Sequence, residues 1–202
     1  MEILNLYPGG HASNCYLLIE GRDAVLIDCS ATVQSVQAAL AQRNATLHAI
    51  LLTHGHYDHF MNREALQSAF RVPVFLHEKD ADFPETGLLN AYHVFFGIEK
   101  SFPPADRLFG NGEVLTFGAL SITPTHTPGH TPGCVVYHIE NALFTGDTLM
   151  ACGYGRTTFP GGNTPAMRES LQKLFAFPKS LTIYPGHGES ASLEAALHNI
   201  FR

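Results

Sequence analysis

Cysteine is scarce in this chain and never paired in sequence. Cys15, Cys29, Cys134 and Cys152 lie far apart and form no CxxC, which argues against a structural zinc cluster or a disulfide framework and fits a reducing compartment. Charge is thin too, at 15% of residues, and Lys plus Arg number 12 against 18 Asp plus Glu. A net charge of −6 gives no basic surplus for a phosphate backbone, so nucleic acid is not an expected partner. No apolar run reaches the ~18 residues needed to cross a bilayer. The opening MEILNLYPGG has no basic stretch followed by an apolar one. These absences predict a soluble, cytoplasmic protein with no membrane partner, and they leave the oligomeric state open. There is no low-complexity segment and no solenoid-type repeat.

What is present is a globular composition, 45% hydrophobic over 202 residues, enough for one well-buried domain over 1–202. The patterning alternates strands and helices. CYLLIE and AVLID (15–20 and 24–28) read as a hairpin. Val33, Val36 and Leu40 mark a helix over 32–42, and Ala49–Thr53 is a short buried strand ending at His54. Helix over 62–69, strand over 72–76, an irregular aromatic-rich stretch over 80–107, then strands at 114–117, 120–124, 134–139 and 142–145 follow. Thr164 with Pro165 predicts the cap and first turn of a helix to about 175. A strand at 180–184 and a helix over 192–201 close the chain. Two halves, each of strands and then helix, point to a layered α/β sandwich.

Twelve histidines are the excess to follow, because neutral imidazole is the commonest metal ligand. His54, His56, Asp58 and His59 fall within six residues directly after a buried strand. Ligands at i and i+2 in extended chain project from one side, so His54 and His56 can grip one ion. Asp58 and His59, where the chain turns toward a helix, point elsewhere and can hold a second. Three more segments repeat one design, an apolar strand and a Gly-containing loop bearing a ligand-type residue: TPGH at His130, TGD at Asp147 and YPGH at His187. Glycine lets such loops turn sharply and aim one side chain at a common point. Together they give five His and two Asp, enough for two ions sharing a ligand.

The motif HxHxDH, followed in order by TPGHT, TGDT and YPGHG, resembles the metallo-β-lactamase-fold hydrolases, and within them the short glyoxalase II-like branch. The resemblance implies an α/β fold, a four-layer αβ/βα sandwich with metals at one edge between two mixed sheets. It further implies that His54, His56 and His130 hold the first metal, that Asp58, His59 and His187 hold the second, and that Asp147 bridges. Two divalent ions are expected, zinc first, with iron and manganese tolerant of the same donors. A water between two cations becomes hydroxide near neutral pH and attacks a polarised carbonyl, with Asp58 orienting it and handling its proton. A thiolate leaves without much protonation, so the expected activity is a thioesterase on S-lactoylglutathione or related 2-hydroxyacyl thioesters. A mononuclear-iron persulfide dioxygenase using His54, His130 and Asp147, a lactonase or other acyl hydrolase, and, last, a non-enzymatic metal-binding protein are the alternatives.

The stretch after Asp147 departs from the glutathione-type enzymes, which carry Lys and Tyr where this chain offers Arg156 and Thr158, and only fifteen residues follow His187. Arg156 is the candidate substrate-anion contact. His126, four before His130, is expected to support that loop rather than bind, and His11 merits attention in its Gly-rich loop. The cysteines are expected to be small core residues. Phe83, Tyr92, Phe95, Phe96 and Phe102 either wall a cleft or pack the 80–107 stretch.

Overall fold

The computed structural model describes residues 1–201. Twelve strands form two six-stranded sheets, and both sheets mix parallel and antiparallel pairs. The first contains, in order, β1 (Glu2–Asn5), β2 (Tyr16–Glu20), β3 (Asp23–Ile27), β4 (Thr46–Leu51), β5 (Val74–His77) and β6 (Arg107–Phe109). The second contains β7 (Leu115–Phe117), β8 (Leu120–His126), β9 (Val135–Ile139), β10 (Ala142–Gly146), β11 (Thr182–Pro185) and β12 (Ala191–Ser192), again in chain order.

Strand alternation makes the layers. Leu18, Val25, Ile27, Ala49 and Leu51 face the second sheet and meet Ile122, Val135, Tyr137 and Phe144 between the sheets. Their neighbours Leu17, Leu26, Ile50 and Leu52 point the other way, because successive side chains of a strand take opposite faces. On that outer side they meet α1 (Val33–Arg43) and α3 (Arg63–Phe70) through Val36, Leu40 and Leu66. The outer face of the second sheet, with Val136, Leu143 and Ile183, is covered by α5 (Thr164–Lys173) and α6 (Leu193–Ile200) through Met167, Leu171, Ala196 and Leu197. The result is helix, sheet, sheet, helix, as expected. Fully burying one such aliphatic side chain contributes roughly 1.5–3 kcal/mol, so three such cores hold the strand ends in fixed positions.

Three local features differ from the sequence reading. β1 and β6 are edge strands of four and three residues, too short for a periodic signal and ordered by their neighbours' free ladders. Within 80–107 a short helix, α4 (Tyr92–Phe96), forms between Ala91 and Gly97, both at positive φ. The cap of α5 is Asn163, not Thr164: the Ala166 N–H donates to Asn163 Oδ1 at 3.0 Å. Asn163 is the extended residue (φ −149°, ψ 105°) that precedes the first helical turn, and Thr164 already lies within the helix. Among the described residues no helix is long and apolar enough to cross a membrane.

Candidate metal centre

The chain's ligand-type residues gather at one edge of the sandwich, beyond the carboxyl ends of β4, β10 and β11 and in the β8–β9 loop. His56 is extended (φ −83°, ψ 146°), and α2 (Tyr57–Phe60) begins immediately after it. The helix turn brings His59 back beside His54, their ring centroids 4.1 Å apart, against 4.8 Å for His54 and His56. The seven predicted positions all arrive at this edge. Six are buried and His187 is partly exposed.

They fall into overlapping groups. Ligand atoms of His54, His56 and His130 lie within 4.8 Å of one another, as do those of Asp58, His59 and His187, and a third group of His54, His59 and Asp147 overlaps both. Asp147 stands between the groups: Oδ2 is 3.4 Å from His130 Nε2, while Oδ1 is 3.4 Å from His59 Nε2 and 3.8 Å from His187 Nε2. His56 Nδ1 and His130 Nε2 approach to 2.8 Å. Asp58 Oδ2 is 3.0 Å from His187 Nε2.

The rings are aimed by partners on their far sides. His59 Nδ1–H donates to Asp28 Oδ2 at 2.8 Å, which leaves Nε2 facing the cluster. His130 Nδ1–H donates to the Arg156 carbonyl at 2.6 Å, again freeing Nε2. A carboxylate and a carbonyl only accept, so each fixes the tautomer. His54 Nδ1 is 3.2 Å from the Thr53 hydroxyl, and that hydroxyl donates to Asp28. Asp28 is itself at φ +56°, a left-handed conformation that Asp tolerates better than most residues. Asp80, fully buried, accepts from the Gly55 N–H at 3.0 Å, the Gly133 N–H at 2.6 Å and the Thr131 hydroxyl at 2.6 Å. It thereby ties the His54–His59 segment to the loop carrying His130. Asn14 Nδ2 donates to the carbonyls of Pro185 and Gly188 and clamps the His187 loop.

Glycine is needed where backbone passes close to these groups. A Cβ on Gly186 would collide with Asp147 Oδ1 and His59 Cε1, and one on Gly155 would strike Asp147 and His130 Nδ1.

The electrostatics suit a cation. Burial, reinforced by neighbouring imidazoles, drives His54 well below its ordinary pKa and His56 down to about 3. Both are neutral donors at pH 7. Burial raises the Asp58 and Asp147 carboxyls, but the adjoining His59 and His187 outweigh it and the net displacement of both is downward. Burial also lowers His59, yet Asp28, Asp58 and Asp147 around it overcome that and raise it well above 6.5. Four buried atoms facing or flanking the cluster have no hydrogen-bond partner: His54 Nε2, His56 Nε2, His59 Nε2 and Asp147 Oδ1. Leaving several buried polar atoms unpaired is costly, and a metal ion satisfies at least the three that point inward. The donor set fits divalent metal.

Above the cluster is a cleft of about 500 Å³ lined by His56, Asp58, His130, Asp147 and His187 on its floor, with Arg156, Phe159 and Tyr154 on one wall. Arg156 therefore lies where the sequence reading puts an anion contact. His126 does not reach the donors. Its Nε2–H donates to the Pro132 carbonyl at 2.7 Å, and its ring stacks on His77 at 4.3 Å, bracing the loop that carries His130. His11 lines the cleft mouth. Cys15, Cys29 and Cys134 are buried as expected, whereas Cys152 is exposed rather than a core residue. The aromatics divide: Phe95 lines the cleft, Phe83 is buried against the His56 ring, and Tyr92 and Phe102 pack on Tyr57. Asp28, Thr53, Asp80 and the Arg156 carbonyl are the participants that sequence reasoning missed. Only Asp28 carried a signal, as an Asp ending an apolar strand in the manner of Asp147.

Comparison with known proteins agrees with this geometry. A family model described as the metallo-beta-lactamase superfamily matches residues 8–187. A probable metallo-hydrolase of Bacillus subtilis, YqgX, is 33% identical over 180 residues, covering 87% of this chain and 85% of that protein. A hydroxyacylglutathione hydrolase of Brucella anthropi is 37% identical over 156 residues, covering 76% of this chain and 52% of the relative, so the match spans about half of that protein. Among solved structures, BLEG-1, described as a B3 metallo-beta-lactamase, superposes with a TM-score of 0.89 at 32% identity, covering 99% of this chain and 98% of that one.

Proposed function

This chain belongs to the metallo-beta-lactamase superfamily, and from that premise we propose a dinuclear metal-dependent hydrolase that cleaves thioesters, with S-lactoylglutathione and related 2-hydroxyacyl thioesters as leading substrates. The observation that carries the reading is the position of Asp147, one carboxylate oxygen beside His130 and the other beside His59 and His187. A carboxylate so placed would be within reach of two neighbouring ions.

In this reading His54 Nε2, His56 Nδ1 and His130 Nε2 hold one metal, and Asp58, His59 Nε2 and His187 Nε2 hold the other, with Asp147 shared. Bound there, two divalent cations supply Lewis acidity toward a carbonyl oxygen and lower the pKa of water toward neutrality. The chain's own residues do the rest. Asp58, kept ionised by His59 and His187, faces the cleft, orients the attacking water and takes its proton. Asp28 and the Arg156 carbonyl prevent ring rotation of His59 and His130. The Arg156 side chain meets an anionic part of the substrate. A thiolate, with a pKa near 8.5, departs without a dedicated acid, and the cleft floor offers none beyond the donors. Zinc suits these nitrogen and carboxylate donors, and iron or manganese tolerates them. The relative named as a hydroxyacylglutathione hydrolase supports the thioester class.

Elemental analysis of the purified protein, combined with S-lactoylglutathione hydrolysis by wild type and His56→Ala, tests the proposal. About two ions per chain with turnover lost in the variant is expected. Equal turnover by His56→Ala would overturn it. The likeness to a B3 metallo-beta-lactamase across nearly the whole chain favours one second reading, β-lactam hydrolysis at the same centre, so a β-lactam belongs in the same assay.

A further inference from the structure

The cleft is not the only space beside Asp58. A second cavity of about 360 Å³ opens on the other side of His11, walled by Pro8, Tyr57, Met61, Phe95 and Phe96. The two cavities share His11, Asp58 and Phe95 among their lining residues, so they lie side by side and both border the Asp58 carboxylate. Two rings of the wall come from α4, none of whose residues is buried. Phe95 and Phe96 are 37% and 52% exposed. They are nevertheless held in place, their ring centroids 6.3 and 5.8 Å from that of Tyr57. Apolar surface left open to water at a cleft mouth is the common mark of a ligand site.

Charge points the same way. Among the residues lining the cleft Arg156 is the one permanent cation, and the side cavity has no lysine or arginine in its wall. A ligand with several carboxylates finds a single charged partner here, whereas a hydrocarbon group finds three aromatic rings and a methionine.

We propose that this side cavity binds a hydrocarbon substituent of the substrate, an alkyl chain or aryl group attached close to the scissile carbonyl, and that Phe95 and Phe96 set the preference for it. The proposal rests on the thioester-hydrolase reading above and deepens it: within that class it favours a hydrocarbon-bearing thioester over S-lactoylglutathione, whose thiol carries two carboxylates. The hydrocarbon belongs to either the acyl part or the thiol part, and the two are separable by synthesis.

The test uses the metal-loaded protein and two series: acetyl, butanoyl, hexanoyl and octanoyl thioesters of one small thiol, and acetyl thioesters of progressively longer alkanethiols. In one series kcat/KM rises about twofold to fourfold per methylene until the cavity is filled. Phe95→Ser and Phe96→Ser flatten that rise chiefly through KM. The series that rises identifies the part bearing the hydrocarbon. Measurable turnover with no chain-length dependence in either series overturns the inference and leaves the hydrolase reading standing. If no thioester is cleaved, that reading fails by itself, and calorimetric titration with acetate through octanoate decides the inference. Affinity that climbs with length and loses the climb in Phe96→Ser supports it. Flat affinity overturns it, as does a dimer that dissociates in Phe96→Ser, which would assign the aromatic wall to a second copy of the chain.

Discussion

Asp28 and His59 are joined by a 2.8 Å hydrogen bond at the end of the imidazole farthest from the donor cluster. Asp28 never approaches the cleft, yet it decides which His59 nitrogen is free. Removing such a partner typically weakens metal affinity 10- to 100-fold. Asp28→Asn is therefore expected to lose one of two ions during dialysis that leaves the wild type loaded. Metal-to-protein ratios measured after dialysis check this; full retention of both ions would show that His59 needs no such support.

Gly186 passes so close to Asp147 and His59 that any Cβ would displace one of them. Gly186→Ala is predicted to reduce hydrolysis by about 10- to 100-fold, an effect of misplacement at a preorganised centre. The protein should remain folded, because Gly186 has ordinary negative φ and does not sit in any of the three cores. Circular dichroism beside kinetics separates the two effects, and wild-type kinetics in the variant would mean that the loop yields freely.

Asp80 gives the fold a pH dependence of unusual sign. Burial pushes its carboxyl up to about 6 even though three donors oppose the rise. A folded-state pKa above the unfolded value means that the native protein binds the proton more tightly. The stability so contributed is present below about pH 4 and is lost as pH rises toward 6. Comparing denaturant unfolding of metal-free wild type and Asp80→Asn at pH 4.5 and 7, the wild type should lose ground to the variant by about 2 kcal/mol. A constant difference would show that the donors keep Asp80 ionised throughout.

Arg156 combines two roles in one residue that a substitution can separate. Its carbonyl holds His130, whereas its side chain lines the cleft beside Phe159. Arg156→Ala keeps the carbonyl, so metal content is expected to stay at the wild-type level while KM for an anionic thioester rises about tenfold, the loss of one charge-assisted contact. Loss of metal in this variant would place the side chain in support of the centre instead.

The seven candidate ligands were legible in the sequence because each sits in a compact signal, HxHxDH or a glycine-bearing loop after an apolar strand. The layered fold was legible because both halves run from strands to helix, and unbroken apolar runs such as Leu17-Leu18 and Val25-Leu26 suit strands buried on both faces. Asp28 and Asp80 escaped notice because their partners are distant in sequence: Asp28 meets Thr53 and His59, and Asp80 meets Gly55, Thr131 and Gly133. The Arg156 carbonyl has no side-chain signature at all. The cap of α5 was misplaced by one residue because Asn163 and Thr164 are both capping residue types, and which of them is the last extended residue shows only in the backbone.

Anomalous scattering from crystals grown with zinc measures the central claim most directly. The account predicts two peaks about 3.5–4 Å apart, one in bonding range of His54, His56 and His130, the other of Asp58, His59 and His187, with Asp147 touching both. Peaks bound to other residues, or an Asp147 carboxylate turned away from both ions, would contradict it.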